Sequence, residues 1–334
     1  MGRYIVRGAA LLTALLVVLT VLVLPLVATA QRPVQVRRIA FLGFGSPPSA
    51  AEPRPVVEEF RHALRERGWI EGDNLAIEWR WTAGGLDQFA TLVAEVLRLQ
   101  VEVIVVPYAT AAGIAKQATS TIPIVVLGGG LAESGLVASL ARPGGNVTGV
   151  SSLNPEIVTK RLELLKQAVP GLTRVAVLRG PARQTFELQA MEGAAPSLGV
   201  ELHLFEVPEP PAFDSAFAAM TNAQVQALFV LGDPTYARYS QRIADFAAQQ
   251  HLPSICVGRA YVEAGCLMSY GASEQGRGQQ IAAYVDKILH GTKPADLPVE
   301  QPMKFALVIN LKTAQALGIT IPPMLLFQAD EVLK

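Results

Sequence analysis

The sequence predicts an α/β protein built as two doubly wound, parallel-sheet lobes. Short apolar runs without strict alternation recur between segments of helical spacing, as parallel strands covered on both faces require. The rhythm runs twice, once on each side of a break at Leu136 to Leu153. The chain is 334 residues long and 51% hydrophobic, which is material for two cores of ordinary size.

At the N-terminus, Arg3 and Arg7 precede an apolar run from Gly8 to Val27, and Ala28-Thr29-Ala30 supplies the small residues of a cleavage site. Residues 1–30 are expected to be a signal peptide cleaved after Ala30. The competing reading is an uncleaved anchor, since residues 8–27 approach the length that spans a bilayer. Pro25 and the small-residue site favour cleavage. Removing two arginines from 28 basic and 28 acidic residues leaves a formal charge of −2, which recruits no nucleic acid.

Arg38 to Gly43 reads as the first strand, ending in the loop Gly43-Phe44-Gly45-Ser46-Pro47-Pro48. Pro55 opens a helix with Val56, Val57, Phe60 and Leu64 on one stripe and Gly68 as its stop. Leu75, Ile77, Trp79 and Trp81 alternate with Ala76, Glu78 and Arg80, a strand with one apolar face. A helix over Leu86 to Leu97, a strand over Val101 to Val106, a helix over Ala111 to Ala118, a strand over Ile122 to Leu127 and a helix over Ala132 to Leu140 complete the first half. Arg142 suits the negative end of that last helix and Pro143-Gly144-Gly145-Asn146 forbids its continuation, after which Val147 to Leu153 reads as extended chain.

The second half opens with a helix from Glu156 to Ala168. Strands follow at Arg174 to Leu178, Glu201 to Phe205, Ala227 to Leu231, Ser254 to Val257 and Leu267 to Ser269. Helices alternate with them at Phe186 to Ser197, Ala212 to Thr221, Tyr236 to Gln250 and Gln275 to Leu289, and Pro208-Glu209-Pro210-Pro211 reads as a stiff surface connection. The chain closes with a strand over Phe305 to Ile309, a helix over Thr313 to Leu317 and a last helix over Leu325 to Leu333. Cys256 and Cys266 lie near the ends of successive strands and either bridge, as an exported chain permits, or remain two buried thiols.

Ligands of such sheets sit beyond the carboxyl ends of the strands, which singles out the loops there. Gly45 and Ser46 follow the first strand. A dinucleotide fingerprint fails, because Pro48 takes the third glycine position and Arg80-Trp81 stands where an acidic residue is needed. Backbone N–H groups facing a ligand, or a plain tight turn, are the remaining readings. Tyr108, Ala109 and Thr110 precede a helix, with Thr110 as N-cap and the neighbouring amides available to a carboxylate. Gly129, within Gly128-Gly129-Gly130, is placed alike.

On the other wall stand Ser151, Ser152 and Asp233. Asp233 either holds a ligand ammonium or caps the helix that follows. Trp81, Tyr108, Tyr261 and Tyr270 supply aromatic walls for a planar ligand, or pack the lip of the cleft. No cofactor or metal is expected. His62, His203, His251 and His290 are scattered without ligand spacing, His251 and His290 fall at helix C-termini that favour a cation, and there is no nucleophile elbow or phosphate loop.

The segments LVASLARPGGNVTG (residues 136–149), KRLELLKQAVPGLTRVAVL (160–178), ADLPVEQPMKF (295–305), VINLKTAQALGITIPP (308–323) and the closing ADEVLK resemble the ABC transporter substrate-binding family that includes tryptophan- and tyrosine-uptake binding proteins. The resemblance implies a type I periplasmic-binding-protein architecture with three interlobe crossings, near Ser151, Gly271 and Pro302. The lobes are then residues 36–150 with 272–301, and residues 151–271 with 302–334. It also implies an exported, periplasmic and monomeric solute-binding protein, not an enzyme. Its implied ligand is a small molecule, an amino acid or related metabolite, with aromatic amino acids the best-known ligands of the family, and its implied partners are an ABC permease and ATPase.

Two departures stand out: the aspartate of the family's usual Gly-Asp-Pro is missing at Gly128 to Leu131, and Arg179-Gly180-Pro181 replaces an Asn-Pro. They put an amino-group contact from the first loop in doubt and leave Arg179 to face solvent. The alternatives are a membrane-tethered sensor of the same architecture and a secreted enzyme on two such lobes.

Overall fold

The computed structural model describes residues 36–45, 47–49, 54–82, 86–151, 155–180, 185–207, 212–233, 236–273, 275–302 and 304–334. The signal-peptide reading of residues 1–30, the Pro208 to Pro211 connection, and Ser46 and Ser152 lie outside them.

Arg37–Phe44 (β1), Leu75–Thr82 (β2), Val103–Val106 (β3), Ile124–Gly128 (β4) and Val147–Ser151 (β5) form a five-stranded sheet in the order β2-β1-β3-β4-β5, every pair parallel. Its helices are Pro55–Glu66 (α1), Leu86–Arg98 (α2) and Ala109–Ala118 (α3). Alternate residues of one strand feed opposite cores. Ile39 and Phe41 join Val57, Phe60 and Leu64 of α1, while Ala40 and Leu42 join Phe89, Val93 and Val96 of α2. Both faces are therefore dry, which is why β1 and β3 carry no polar alternation.

The second sheet holds Arg174–Arg179 (β6), Glu201–Glu206 (β7), Ala227–Val230 (β8), Ser254–Cys256 (β9), Met268–Ala272 (β10), Phe305–Asn310 (β11) and Glu331–Leu333 (β12), in the order β12-β11-β10-β9-β8-β6-β7. Pro155–Ala168 (α4) and Thr185–Leu198 (α5) pack on one face; Phe213–Asn222 (α6), Ser240–Gln249 (α7) and Arg259–Glu263 (α8) pack on the other. Cys256 and Cys266 form a disulfide across the β9 to β10 connection, which closes the choice left open by the sequence.

The chain passes between the sheets three times. It leaves the first sheet after β5, and after β10 it returns as Arg277–Leu289 (α9), which packs on α1. The fit is close: a methyl on Gly278 would lie 2.4 Å from Val56 O, and the Glu59 carboxylate accepts from the Gly276 and Gly278 amides at the start of α9. Glu300 then bridges to β5, donating to Gly149 O and accepting from Ser151 N, before β11 enters the second sheet.

Three sequence expectations are corrected. Residues 132–140 form turns, not a helix: Gly135 takes φ +69° and Ser134 bonds back to Gly130 O through both its amide and its hydroxyl. Leu131, Leu136 and Val137 are nonetheless buried, so the spacing marks anchors of a looped segment. At the C-terminus, Leu311–Ala316 (α10) and Pro323–Gln328 (α11) are followed by β12 rather than more helix. The Asp330 carboxylate accepts from Leu307 N and its amide donates to Leu307 O, pinning the tail along β11. Finally, β11 runs antiparallel to β10, because the chain between them detours through the other sheet and re-enters at the end where β10 left, with Phe305 opposite Ala272.

Candidate functional site

In each sheet the winding reverses once, between β1 and β3 and again between β6 and β8. Loops diverge at such points and leave a crevice at the strands' carboxyl ends. After β3 come Pro107 and Tyr108, then α3. After β8 come Leu231, Gly232 and Asp233, against the loop after β6, where a methyl on Gly180 would lie 2.2 Å from the Asp233 carboxylate. Between the two sheets lies a cavity of about 460 Å³, within the usual range of small-molecule sites. Pro107, Tyr108, Leu127, Gly128 and Gly129 line it from the first lobe; Arg161, Asp233, Tyr261 and Gly271 are among its lining from the second.

Glycine backbone makes part of the first wall, beside Tyr108 and Leu127. A methyl on Gly128 would sit 2.9 Å from Tyr108 Cα and 3.1 Å from Ala109 N, so the loops after β3 and β4 meet main chain to main chain. Gly130 takes φ +71°, and the Phe186 ring from α5 fills the place of its absent side chain, a contact across the cleft.

The second wall carries charge. Among the described residues the only buried carboxylate and guanidinium side chains are those of Arg161, Glu187 and Asp233, and they cluster here. Arg161, on α4, donates from Nε to Tyr270 O (2.5 Å), while its Nη1 has no hydrogen-bond partner. Burial lowers its pKa to about 10, against the raising influence of Glu187 and Tyr270. Glu187, in the first turn of α5, has no partner for either carboxylate oxygen. Its pKa is pushed up to about 7, first by burial; Arg161 opposes the shift and Asp233 adds to it. Burial also raises the Tyr261 phenol, with Tyr108 and Asp233 adding to it, and the Tyr236 phenol, with Asp233 adding to it. At the cavity's edge Arg259 bonds both oxygens of Glu331, holding that carboxyl below its ordinary range.

Of the residues expected from sequence, Tyr108, Gly129, Asp233 and Tyr261 share this cavity. Ala109 abuts its Gly128 edge. Thr110 is not the N-cap: α3 begins at Ala109 after an extended Tyr108, and Thr110 lies within the first turn with its hydroxyl buried and unpartnered. Trp81 packs inside the first lobe, its ring over Gly43 and the Arg54 guanidinium 4.8 Å from its centroid. It lines a separate small cavity of about 70 Å³ that shares Tyr108. Gly45 takes φ +83° beside Arg54. Tyr270 turns its ring onto Phe305, with centroids 6.0 Å apart, and lines a groove with Glu156 and Lys160; only its carbonyl meets the cluster, through Arg161. Arg179 does not face solvent but pairs with Glu206 on β7.

Arg161 and Glu187 were missed, yet the sequence signals both. Val158, Arg161, Leu162 and Leu165 fall on the stripe of α4 that enters the core, as Glu187, Met191 and Ala195 do on α5. A charge in phase with a buried stripe is the sign of a buried charge. Among the described residues no group of three metal-ligating side chains gathers.

Comparison with known proteins follows the same architecture. A tyrosine-binding protein of Clostridioides difficile (strain R20291) is 23% identical over 263 residues, covering 78% of this chain and 75% of that one. A crystal structure of a conserved domain protein from Vibrio cholerae superposes with a TM-score of 0.80 at 27% identity, covering 89% of this chain and all of the other. The ABC domain of Streptococcus pneumonia in complex with L-Trp gives a TM-score of 0.79 at 26% identity, with 89% and 99% covered. Residues 49–333 match the sequence model of one family along all but the first stretch of the chain, and by that match the protein belongs to the family of ABC transporter substrate binding proteins.

Proposed function

We propose that this chain is the exported solute-binding component of an ABC importer, taking a small molecule, an amino acid or related metabolite with aromatic amino acids the favoured class, in the cavity between its lobes. The observation that carries the reading is that one cavity of ligand size is walled by both lobes. A ligand that touches both walls binds the closed form more tightly than the open one and so shifts the population toward it. The closed form is the one handed to the permease. The lobes are residues 36–150 with 272–301 and residues 151–271 with 302–334, hinged at the three passages between the sheets. The site engages no catalytic machinery, and the protein works as a monomer outside the cytoplasm after cleavage near Ala30.

The relatives that bind tyrosine and L-Trp support an aromatic amino acid. Asp233 then holds the ammonium by a charge-assisted hydrogen bond, and Tyr108 and Tyr261 flank the ring. Thermal unfolding of residues 31–334 against amino acids, nucleosides and small carboxylates tests this. A ligand at a hundred times its Kd stabilises the native state by about 2.7 kcal/mol and moves the midpoint by a few degrees. A shift with L-tryptophan, L-tyrosine or L-phenylalanine supports the reading; a shift only with nucleosides removes the amino-acid assignment.

A further inference from the structure

We infer that Arg161 is the ligand-binding residue that pairs with a carboxylate of the bound molecule, and that Gly271 is the gap through which the carboxylate reaches it. This rests on the cleft being the ligand site. A guanidinium taken out of water is costly unless a counter-charge and hydrogen bonds meet it. Arg161 is 1% exposed. It spends Nε on Tyr270 O and leaves Nη1 without a partner. Glu187 lies within electrostatic reach but forms no ion pair with it, and both Glu187 oxygens are themselves unpartnered. The guanidinium and Gly271 both border the cavity. A methyl on Gly271 would stand 3.2 Å from Arg161 Nη2 and 2.7 Å from Val257 O, so any other residue there closes on the guanidinium.

A planar guanidinium with unspent donors matches a planar two-oxygen anion. The start of α3 is the weaker candidate for that anion. It offers about half a charge, and Ala109 and Thr110 are absent from the cavity lining, where Arg161 is present with a full one. With Asp233 on the same wall, the class of ligand is a carboxylate with a cationic amino group nearby, that is, an α-amino acid rather than an amine, sugar or nucleoside.

The test pairs acids with their amides. Calorimetric titration of residues 31–334 with L-tryptophan against L-tryptophanamide, L-tyrosine against L-tyrosinamide, and benzoate against benzamide reads the contribution of the carboxylate alone. Each acid that binds is expected to bind roughly a hundredfold more tightly than its amide. Arg161→Met should erase that difference, Arg161→Lys should keep part of it, and Gly271→Ala should reduce it while the arginine stays in place. The wild-type comparison holds even if a variant fails to fold. An amide binding as tightly as its acid, an Arg161→Met variant that keeps the difference, or no carboxylate binding at all overturns the inference. Benzoate showing the acid-over-amide preference while both amino acids fail to bind sinks the amino-acid reading of the site and leaves the role of Arg161 standing.

Discussion

Glu187 makes the folded protein's stability fall with pH where most carboxylates make it rise. The side chain is buried with neither oxygen hydrogen-bonded, and burial outweighs the attraction of Arg161, so the pKa stands at about 7 against an ordinary 4.5. A raised carboxyl binds its proton more tightly in the folded chain than in the unfolded one. Its contribution is therefore complete below pH 4.5, declines through the window from 4.5 to 7, and is gone above. At 1.36 kcal/mol per pH unit the shift amounts to about 3 kcal/mol. Glu187→Gln keeps the shape and removes the titration. Denaturant unfolding of wild type and variant at pH 4.5, 6, 7 and 8 isolates the effect, because groups not coupled to Glu187 cancel in the difference. The variant should gain on the wild type by about 3 kcal/mol across the series. A difference that stays constant from pH 4.5 to 8 refutes the reasoning.

Two other perturbations test the frame. The disulfide Cys256–Cys266 closes a short loop, its ends at a sequence separation of 10. Chain entropy assigns such a loop about 3 kcal/mol, so the Cys256→Ser, Cys266→Ser double variant should melt about 3 to 5 °C lower by calorimetry, and an unchanged midpoint contradicts this. Gly149→Ala forces φ +137° on a residue with a side chain and places its methyl 2.2 Å from Val126 O in the neighbouring strand. Chemical unfolding should show a loss of at least about 2 kcal/mol, and a loss below half of that speaks against the close β4–β5 packing.

What the sequence made legible is the repeated burial of strands on both faces. Ile39 to Leu42 and Val103 to Val106 are apolar at every position because helices cover both sides. The illegible parts are those where long-range pairing overrides local pattern. Glu331 to Leu333 continues a helical-looking spacing but is captured by the edge of β11. The Ala132 to Leu140 stripe is real burial without a helix, because a glycine at positive φ interrupts it. At the site, the loops after β3, β4 and β8 were readable from their position at strand ends. Trp81 and Tyr270 were not, since nothing local says that Trp81 lies under Arg54 or that the Tyr270 ring turns to Phe305. Arg161 and Glu187 were overlooked because charged residues on helices are commonly solvent-facing; only their phase within the apolar stripes marks them.

The central claim is that one ligand is gripped by both lobes. Its most direct measurement is calorimetric titration of a bound amino acid into the wild type and into one variant per wall: Tyr108→Ala from the loop after β3 and Asp233→Asn from the loop after β8. Each removes one contact from a shared cavity. Hydrogen bonds to charged groups contribute about 1.5 to 3 kcal/mol, and aromatic packing somewhat less. Both variants should therefore bind about tenfold or more weakly, while melting near the wild-type temperature without ligand. An affinity that either variant leaves untouched would place the ligand on one lobe alone and contradict the account.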